Sequence, residues 1–283
     1  MYKLVAMDMD GTLLNSDKFI SEKNMYVLDR IRNLGIKIAF CTGRLFLSAR
    51  AYAKLLGGNV FIISCNGAYI TDEKFNEIAI HRIPVDEALK LVDVCRKFDV
   101  YYYFFDKTKI YSEKKVYRQS VYLKGNELFP EEDRTEFVIC SDLKALIKRG
   151  NIDMLKFVII DDNNDKLMKV RDELCRLNLE VSSSLSINIE VTAQDVNKGR
   201  GLKELADFIG VDMAETIAVG DSENDIPMLK IAGFSIAMGN ARDDVKAMAD
   251  YITVSEDADG VAKALNKIIL EDQHGEGFYQ EMQ

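Results

Sequence analysis

Short apolar runs alternate with helix-length amphipathic segments at the start of the chain. The runs at residues 3–7, 36–40 and 60–64 have the composition of buried strands. Between them, residues 21–34 and 45–56 have the periodicity of helices, with Ser21 placed to cap the first. This strand–helix order predicts an α/β fold with a parallel sheet and right-handed crossovers.

The same alternation returns after about residue 190, beyond a middle region with a different pattern. Strands are predicted at 216–220, 234–238 and 251–254, again with helices between them. The middle region combines helices with strands such as the aromatic run at 101–105, which indicates an α+β module. The polar stretch 124–150 has no clear assignment.

The length of the chain also favours two domains. It has 283 residues, more than a single hydrophobic core usually serves. We therefore predict that residues 1–83 and 187–283 form one α/β domain. Residues 84–186 would form a second, α+β domain inserted into the first.

The net charge restricts the partners that this chain can bind. The formal charge of −9 is opposite to what nucleic acids and anionic membranes require, although a local pocket can still attract a small anion. No apolar run approaches the roughly 18 residues needed to cross a bilayer. We therefore expect neither a nucleic acid nor a membrane as partner.

Cysteine and histidine usage narrows the chemistry further. The five cysteines are an odd number without a CxxC pair, which predicts free thiols and a cytoplasmic location. The two histidines are too few to favour Ser-His, Cys-His or His-ligated zinc sites. Carboxylates are the abundant reactive groups.

Acidic side chains directly follow two of the predicted strands. Asp8 and Asp10 project to one side where the first strand ends. Asp221 and Asp225 follow the strand at 216–220, although Asp225 alone could equally be a helix N-cap. Parallel sheets bind ligands at their carboxyl edge, so these acids should converge there. Crowded carboxylates need a cation, and oxygen ligands favour Mg²⁺.

Two further segments could bind an anion at the same edge. Thr42 offers a hydroxyl and Gly43 an accessible backbone N–H just before a helix, an arrangement that suits phosphate. A plain turn would give the same pattern. Lys198 precedes a helix predicted at 200–209, where it could balance the aspartates or simply be solvated.

These segments together resemble the motifs of the haloacid dehalogenase (HAD) superfamily, in the expected order. The matching segments are DMDGTLL (8–14), CTGR (41–44), NKG around Lys198, GDSENDIPML (220–229) and, for the Cof-type subfamily, SCNGA (64–68) and residues 237–253. The resemblance implies a Rossmann-like core with a parallel sheet and an inserted α+β cap domain of the C2B type.

The resemblance also implies a role for each acid. Asp8 would attack phosphorus and form an aspartyl-phosphate, while Asp10 would protonate the leaving oxygen and then activate water. Mg²⁺ would be held by Asp8, the backbone carbonyl of Asp10 and Asp221. Asp225 would ligate through water or orient the other ligands.

The phosphate ligands of the family fall on other matching positions. Thr42 and Lys198 would hold the transferring phosphoryl oxygens, together with backbone N–H groups near Met9 and Gly43. Clamping of this kind supplies most of the catalysis of phosphoryl transfer.

Four assignments stay open at this point. Arg44 would contact phosphate or an acid of the cap, or form a surface salt bridge. Asn66 would be a turn residue or touch the ligand, and Asn224 would reach toward phosphate or substrate. The aromatic run at 101–105 would line the pocket or pack as an ordinary strand.

The expected activity is Mg²⁺-dependent hydrolysis of small phosphomonoesters, such as sugar phosphates or related metabolites. A phosphomutase of the phosphomannomutase type, or a non-catalytic switch phosphorylated on Asp8, are the alternatives. The expected partner is a small phosphorylated metabolite, and the protein would be a monomer or a weak homodimer. The motifs do not identify the substrate.

Overall fold

The computed structural model describes residues 1–115 and 121–271. Its strands are β1 Leu4–Met7, β2 Lys37–Cys41, β3 Phe61–Ser64, β4 Tyr69–Thr71, β5 Glu77–Ile80, β6 Tyr101–Phe105, β7 Lys109–Ser112, β8 Glu136–Ile139, β9 Lys156–Ile160, β10 Leu179–Ser182, β11 Asn188–Ala193, β12 Thr216–Gly220, β13 Phe234–Ala237 and β14 Tyr251–Ile252. Its helices are α1 Glu22–Asn33, α2 Phe46–Leu55, α3 Val85–Lys97, α4 Val121–Leu128, α5 Leu143–Lys148, α6 Asn164–Leu174, α7 Lys198–Ile209, α8 Ile226–Ile231, α9 Asp243–Lys246 and α10 Gly260–Leu265. Within these residues, every helix is too short or too polar to span a bilayer.

Strands from both ends of the chain form an eight-stranded sheet, in the order β14-β13-β12-β1-β2-β3-β4-β5. The six strands from β14 to β3 are parallel, and β4 and β5 continue the sheet as antiparallel strands. The predicted α/β fold is therefore confirmed. The turn Cys65–Gly67 joins the antiparallel strands β3 and β4, so Asn66 is a turn residue.

The centre of this sheet determines which loops meet. β1 pairs in parallel with β12 on one side and β2 on the other, and all four of its residues are fully buried. Strands buried on both faces are typical of parallel sheets covered by helices. Because the three strands run in one direction, Asp8, Thr42 and Asp221 emerge at the same edge.

The middle of the chain forms a separate six-stranded sheet, in the order β10-β11-β9-β6-β7-β8. Its neighbours are antiparallel except β7 and β8, and helices α3, α5 and α6 pack with it as an α+β unit. The stretch 124–150, which the sequence left unassigned, supplies most of α4 together with β8 and α5.

The second sheet extends beyond residue 186, the predicted end of the inserted domain. Strand β11 lies within this sheet, between β10 and β9. All six of its residues are buried, and both of its hydrogen-bonded neighbours belong to the second sheet. We therefore propose a domain boundary after Ala193 in place of the one predicted at 186.

Helix α7 begins two residues before its predicted start at residue 200. The side chain of Asn197 caps it, with Oδ1 accepting a hydrogen bond from the Arg200 N–H at 3.0 Å. Lys198 is therefore the first residue of the helix and is fully buried at the edge of the first sheet.

Helix α2, which follows β2 of the first sheet, contacts the part of the chain that carries the second sheet through a buried carboxylate. Asp133, which is 3% exposed, accepts hydrogen bonds from Arg50 Nε at 3.0 Å and from Lys54 Nζ at 2.6 Å. The Leu47 N–H also donates to the Lys107 carbonyl at 3.1 Å. These contacts hold the second sheet beside the loops that follow β1 and β2.

Candidate active site

Lys198 joins two carboxylates in the most deeply buried part of the site. Its Nζ donates to Asp8 Oδ1 and to Asp225 Oδ1, both at 2.6 Å, and neither Lys198 nor Asp225 is exposed. Burial alone would lower the pKa of Lys198, but the two carboxylates raise it, so the ammonium stays charged. Burial, with Asp225 and Asp221 nearby, raises the pKa of Asp8, and Lys198 offsets only part of this.

Asp221 lies against the loop that follows β1. Its Oδ1 accepts from Thr12 Oγ1 at 2.9 Å and its Oδ2 from Ser222 Oγ at 2.7 Å. A side chain at Gly11 would place its Cβ 2.7 Å from Asp221 Oδ2, so glycine is needed for this close approach. Burial, and then the neighbouring Asp225, raises the pKa of Asp221 to about 7.

Asp225 is not a side-chain cap for α8, which was one interpretation of the sequence. Its Oδ2 instead accepts from the backbone N–H groups of Asp221 and Ser222, both at 2.9 Å. Its other oxygen is bound by Lys198. Asp225 therefore fixes the backbone that carries Asp221, and its own oxygens already have donors.

Asp10 is held by two cations. Arg44 donates to it from Nε at 2.6 Å and from Nη2 at 2.8 Å, and Lys18 Nζ lies 3.1 Å from its Oδ1. Arg44 is only 3% exposed and also donates to Ser48 Oγ at 3.1 Å. Burial would raise the pKa of Asp10, but Arg44 and then Lys18 hold it well below its usual range. Arg44 thus pairs with a carboxylate of the site itself, rather than with an acid of the inserted domain or at the surface.

The loop after β2 brings Thr42 and Gly43 to the same edge. Thr42 is 1% exposed, and its Oγ1 accepts from the Arg44 N–H at 3.1 Å. Its carbonyl accepts from the Asn66 N–H at 3.0 Å, which ties this loop to the turn after β3. The side chain of Met9 is fully buried in the core, so only its backbone is left to face this edge.

Asn66 and Asn224 meet around a residue that the sequence did not single out. Asn66 Nδ2 donates to Glu190 Oε2 at 2.6 Å, and Asn224 Nδ2 donates to the same oxygen at 3.3 Å and to Asn66 Oδ1 at 3.2 Å. Glu190 also pairs with Lys156 at 3.0 Å. Both charged residues lie on strands of the second sheet, outside the motifs. The available signal was a charge at the start of the apolar run KFVII and another among the alternating residues of NIEVTA.

A cavity of about 580 Å³ opens between the two sheets. Its floor includes Asp8, Asp10, Thr42 and Asp221, and its roof is the face of the second sheet. Alternate residues of the aromatic run form part of that roof, since Tyr103 and Phe105 line the cavity while Tyr102 and Phe104 do not. Both sequence interpretations of this run therefore apply, each to one face of the strand.

The acidic cluster fits a divalent cation of the Mg²⁺ type. Carboxylate oxygens of Asp8, Asp221 and Asp225 lie within 4.8 Å of one another, and hard cations prefer oxygen ligands. Among the described residues, no protein donor reaches Asp8 Oδ2. Burial, and then the neighbouring carboxylates, raise the pKa values of Asp8 and Asp221, so a bound cation would favour their charged forms.

Comparison with protein families agrees with this geometry. The family model of haloacid dehalogenase-like hydrolases matches residues 5–265, nearly the whole chain. The chain belongs to the haloacid dehalogenase-like hydrolase family. The resemblance seen in the motifs is thereby confirmed.

Characterised relatives and solved structures in this family cover almost all of the chain. The 5-amino-6-(5-phospho-D-ribitylamino)uracil phosphatase YcsE of Bacillus subtilis is 32% identical over 95% of this chain and 96% of its own. Phosphatase YwpJ of the same organism is 30% identical over 94% of this chain and 100% of its own. A haloacid dehalogenase-like hydrolase structure from B. subtilis superposes with a TM-score of 0.86 at 29% identity, covering 94% of this chain and 100% of that one.

Proposed function

We propose that the protein is a Mg²⁺-dependent phosphatase that hydrolyses small phosphomonoesters through an aspartyl-phosphate on Asp8. The observation that carries this proposal is the pairing of Asp8, which lines the floor of the cavity, with Lys198 buried beneath it. The buried ammonium holds one carboxylate oxygen. The other has no protein donor among the described residues, which suits a nucleophile.

The same ammonium and the loop after β2 would bind the transferring phosphoryl group. Lys198 supplies a fixed positive charge beside Asp8, and Thr42 supplies a hydroxyl at the end of the neighbouring strand. The backbone N–H groups near Met9 and Gly43 complete the set. Donors fixed before the reaction stabilise the charge that develops on the equatorial oxygens.

Asp8, Asp221 and the backbone carbonyl of Asp10 would hold Mg²⁺. When bound, the ion would neutralise charge on the phosphoryl oxygens and draw the substrate toward Asp8. Asp225 would act on the residues around the ion rather than bind the ion directly. Its carboxylate fixes the Asp221 backbone and the Lys198 ammonium, so we propose it as a positioning residue.

Asp10 would supply the proton transfers. In its ion pair with Arg44 the carboxylate is ionised, which suits activation of the water that hydrolyses the aspartyl-phosphate. Protonation of the leaving oxygen requires Asp10 to carry a proton. We therefore propose that Asp10 leaves the Arg44 pair and takes up a proton from solvent before it protonates the leaving oxygen, since a carboxylate bound twice by a guanidinium does not hold a proton.

The second sheet would act as the cap. It covers the cavity from the side opposite Asp8, where it can exclude water and contact the leaving group. The partner would be a small phosphorylated metabolite, as the phosphorylated substrate in the name of the relative YcsE also suggests. The five cysteines are all free, which supports a cytoplasmic location.

Phosphate release from a panel of small phosphomonoesters tests this proposal. We expect turnover with Mg²⁺ that is abolished by a chelator. Asp8→Asn should lower kcat by at least about 10³-fold with an unchanged fold by circular dichroism. Comparable activity in Asp8→Asn would contradict the nucleophile, and no release of phosphate from any ester between pH 5 and 9 would contradict the activity.

A further inference from the structure

A buried ion pair lies on the roof of the cavity, away from the acidic cluster. Lys156 Nζ and Glu190 Oε1 are 3.0 Å apart, and the two residues are 2% and 5% exposed. Desolvating two charges costs about as much as their attraction returns, so an apolar pair would stabilise this sheet as well. A contribution to stability therefore does not explain why these two strand positions carry charged side chains.

Glu190 is fully occupied by protein donors. Its Oε1 accepts from Ser184 Oγ at 2.9 Å in addition to Lys156. Its Oε2 accepts from Asn66 Nδ2 and Asn224 Nδ2. The carboxylate cannot bind anything further, and its effect is to fix the positions of Lys156 and the two asparagines.

Two of the groups that Glu190 fixes are incompletely bonded. Among the described residues, Glu190 is the only acceptor that reaches the Lys156 ammonium, which carries three N–H donors. Asn224 Oδ1 is buried and has no hydrogen-bond partner. Such groups carry a desolvation penalty that a bound ligand removes when it supplies the missing partners.

The cluster adjoins the loop proposed to hold phosphate. A Cβ on Gly43 would lie 2.9 Å from Lys156 Nζ and 3.0 Å from Asn66 Oδ1. If a phosphate is held at Thr42 and Gly43, the part of the leaving group that reaches this ammonium therefore lies within a few bonds of the ester oxygen. The roof directly beside this pair is apolar, since Phe105 is the strand partner of Lys156 and Val158 that of Glu190.

We propose that Lys156 and Asn224 form a subsite for a hydroxyl group near the ester oxygen of the leaving alcohol. A hydroxyl can accept from the Lys156 ammonium and donate to Asn224 Oδ1, and this combination suits both unfilled groups. The preferred substrates are then phosphate esters of polyols and sugars rather than of plain alkyl alcohols. Glu190 is the positioning residue of this subsite. The predicted effect on kcat/KM rests on the proposed phosphatase function.

Matched pairs of esters measure the contribution of the hydroxyls directly. The pairs are erythritol 4-phosphate with butyl phosphate, ribitol 5-phosphate with pentyl phosphate and glucitol 6-phosphate with hexyl phosphate. The readout is the ratio of kcat/KM within each pair. Lys156→Met removes the ammonium, and Lys156→Met/Glu190→Gln does so without leaving Glu190 charged and unpaired. Lys109→Met, in an exposed pair with Glu136 on the same sheet, is the control.

The parent protein should favour the polyol ester by at least about tenfold in one or more pairs. Both Lys156 variants should reduce that ratio to about threefold or less, while Lys109→Met keeps it. A parent ratio near one in all three pairs, or a ratio unchanged by loss of Lys156, would overturn the inference and leave the phosphatase activity standing.

Binding to the Asp8→Asn protein separates recognition from chemistry. Calorimetric titration with the same pairs should show tighter binding of the polyol ester, and the added Lys156→Met change should remove this preference. If no ester is hydrolysed by the parent but the binding preference is present, the proposed function fails and the subsite stands. Equal affinity within every pair would overturn the subsite.

Discussion

Arg44 binds the carboxylate of Asp10 at two points, with Nε 2.6 Å from Oδ2 and Nη2 2.8 Å from Oδ1. The guanidinium is itself held in place, because Nη1 donates to Ser48 and the group lies 5.0 Å from the ring centroid of Tyr52. Pairing at two points fixes orientation as well as charge. Arg44 thus determines both where Asp10 lies and how strongly it holds a proton.

Replacing Arg44 with methionine should impair the proton transfers of Asp10. Loss of the guanidinium raises the pKa of Asp10 toward its ordinary value, so the pH below which activity falls should move upward. We expect kcat at neutral pH to drop by about 10²-fold, because the carboxylate also loses its orientation. Arg82→Met, in an exposed pair with Asp153, is the matched control. A parental pH–rate profile in Arg44→Met would contradict this role.

Replacing Lys198 with methionine should destabilise the fold. The change leaves Asp8 and Asp225 buried without their shared counter-charge, a loss of about 3–5 kcal/mol in the free energy of unfolding. Urea denaturation measures it in the absence of added metal. Lys203→Met, in an exposed pair on the same helix, should change stability by less than about 0.5 kcal/mol. Equal effects of the two changes would show that the buried pairs do not stabilise the protein.

The sequence predicted the first sheet well because its strands are continuous apolar runs. TIAVG forms β12 at the predicted residues, and the acids of the motifs converge as strand order requires. The aromatic run YYYFF of the second sheet likewise forms β6 at the predicted residues. The segment 124–150 resisted assignment because its elements are short, and β8 spans four residues of which the two central ones are half-buried and the outer two exposed, without the alternation typical of a strand. The helix predicted at 200–209 begins two residues earlier in the structure, because the side chain of Asn197 caps its N-terminus.

The contacts between side chains of the site were less predictable. Arg44 follows Thr42 and Gly43 in the motif, but its pairing with Asp10 depends on how the loops after β1 and β2 lie across the sheet edge. Lys156 and Glu190 meet through the pairing of β9 with β11, which spacing along the chain does not reveal. Both contacts are long-range consequences of strand order.

Replacing Glu190 with glutamine should lower stability in a pH-dependent way. Burial would raise the pKa of Glu190, but Lys156 and then Asn66 hold it below its ordinary value in the folded protein. The unfolded chain therefore binds more protons as the pH falls below about 4.5, and the parent loses this part of its stability there. Chemical denaturation at pH 7 and at pH 4 should show a difference between parent and variant that is smaller at pH 4. A constant difference would contradict the ionised pair.

Replacing Gly43 with alanine should reduce catalysis more than stability. The new methyl group would lie 2.9 Å from Lys156 Nζ and 3.0 Å from Asn66 Oδ1, so the phosphate loop or the Glu190 cluster must shift. A displacement of this kind should lower kcat/KM by about 10- to 100-fold. Gly125→Ala is the control, since its Cβ would meet only Phe129 at 3.7 Å. Steady-state kinetics of both variants checks this, and parental kcat/KM in Gly43→Ala would refute it.

Trapping of the covalent intermediate tests the central assignment most directly. The protein is mixed with Mg²⁺ and a phosphomonoester that it hydrolyses, quenched in acid within milliseconds, digested and examined by mass spectrometry. We predict one added phosphoryl group on the peptide that contains Asp8, and none on that peptide in Asp8→Asn. A parent that releases phosphate from this ester under these conditions while its Asp8 peptide stays unmodified, or a phosphoryl group on a different residue, would contradict the account.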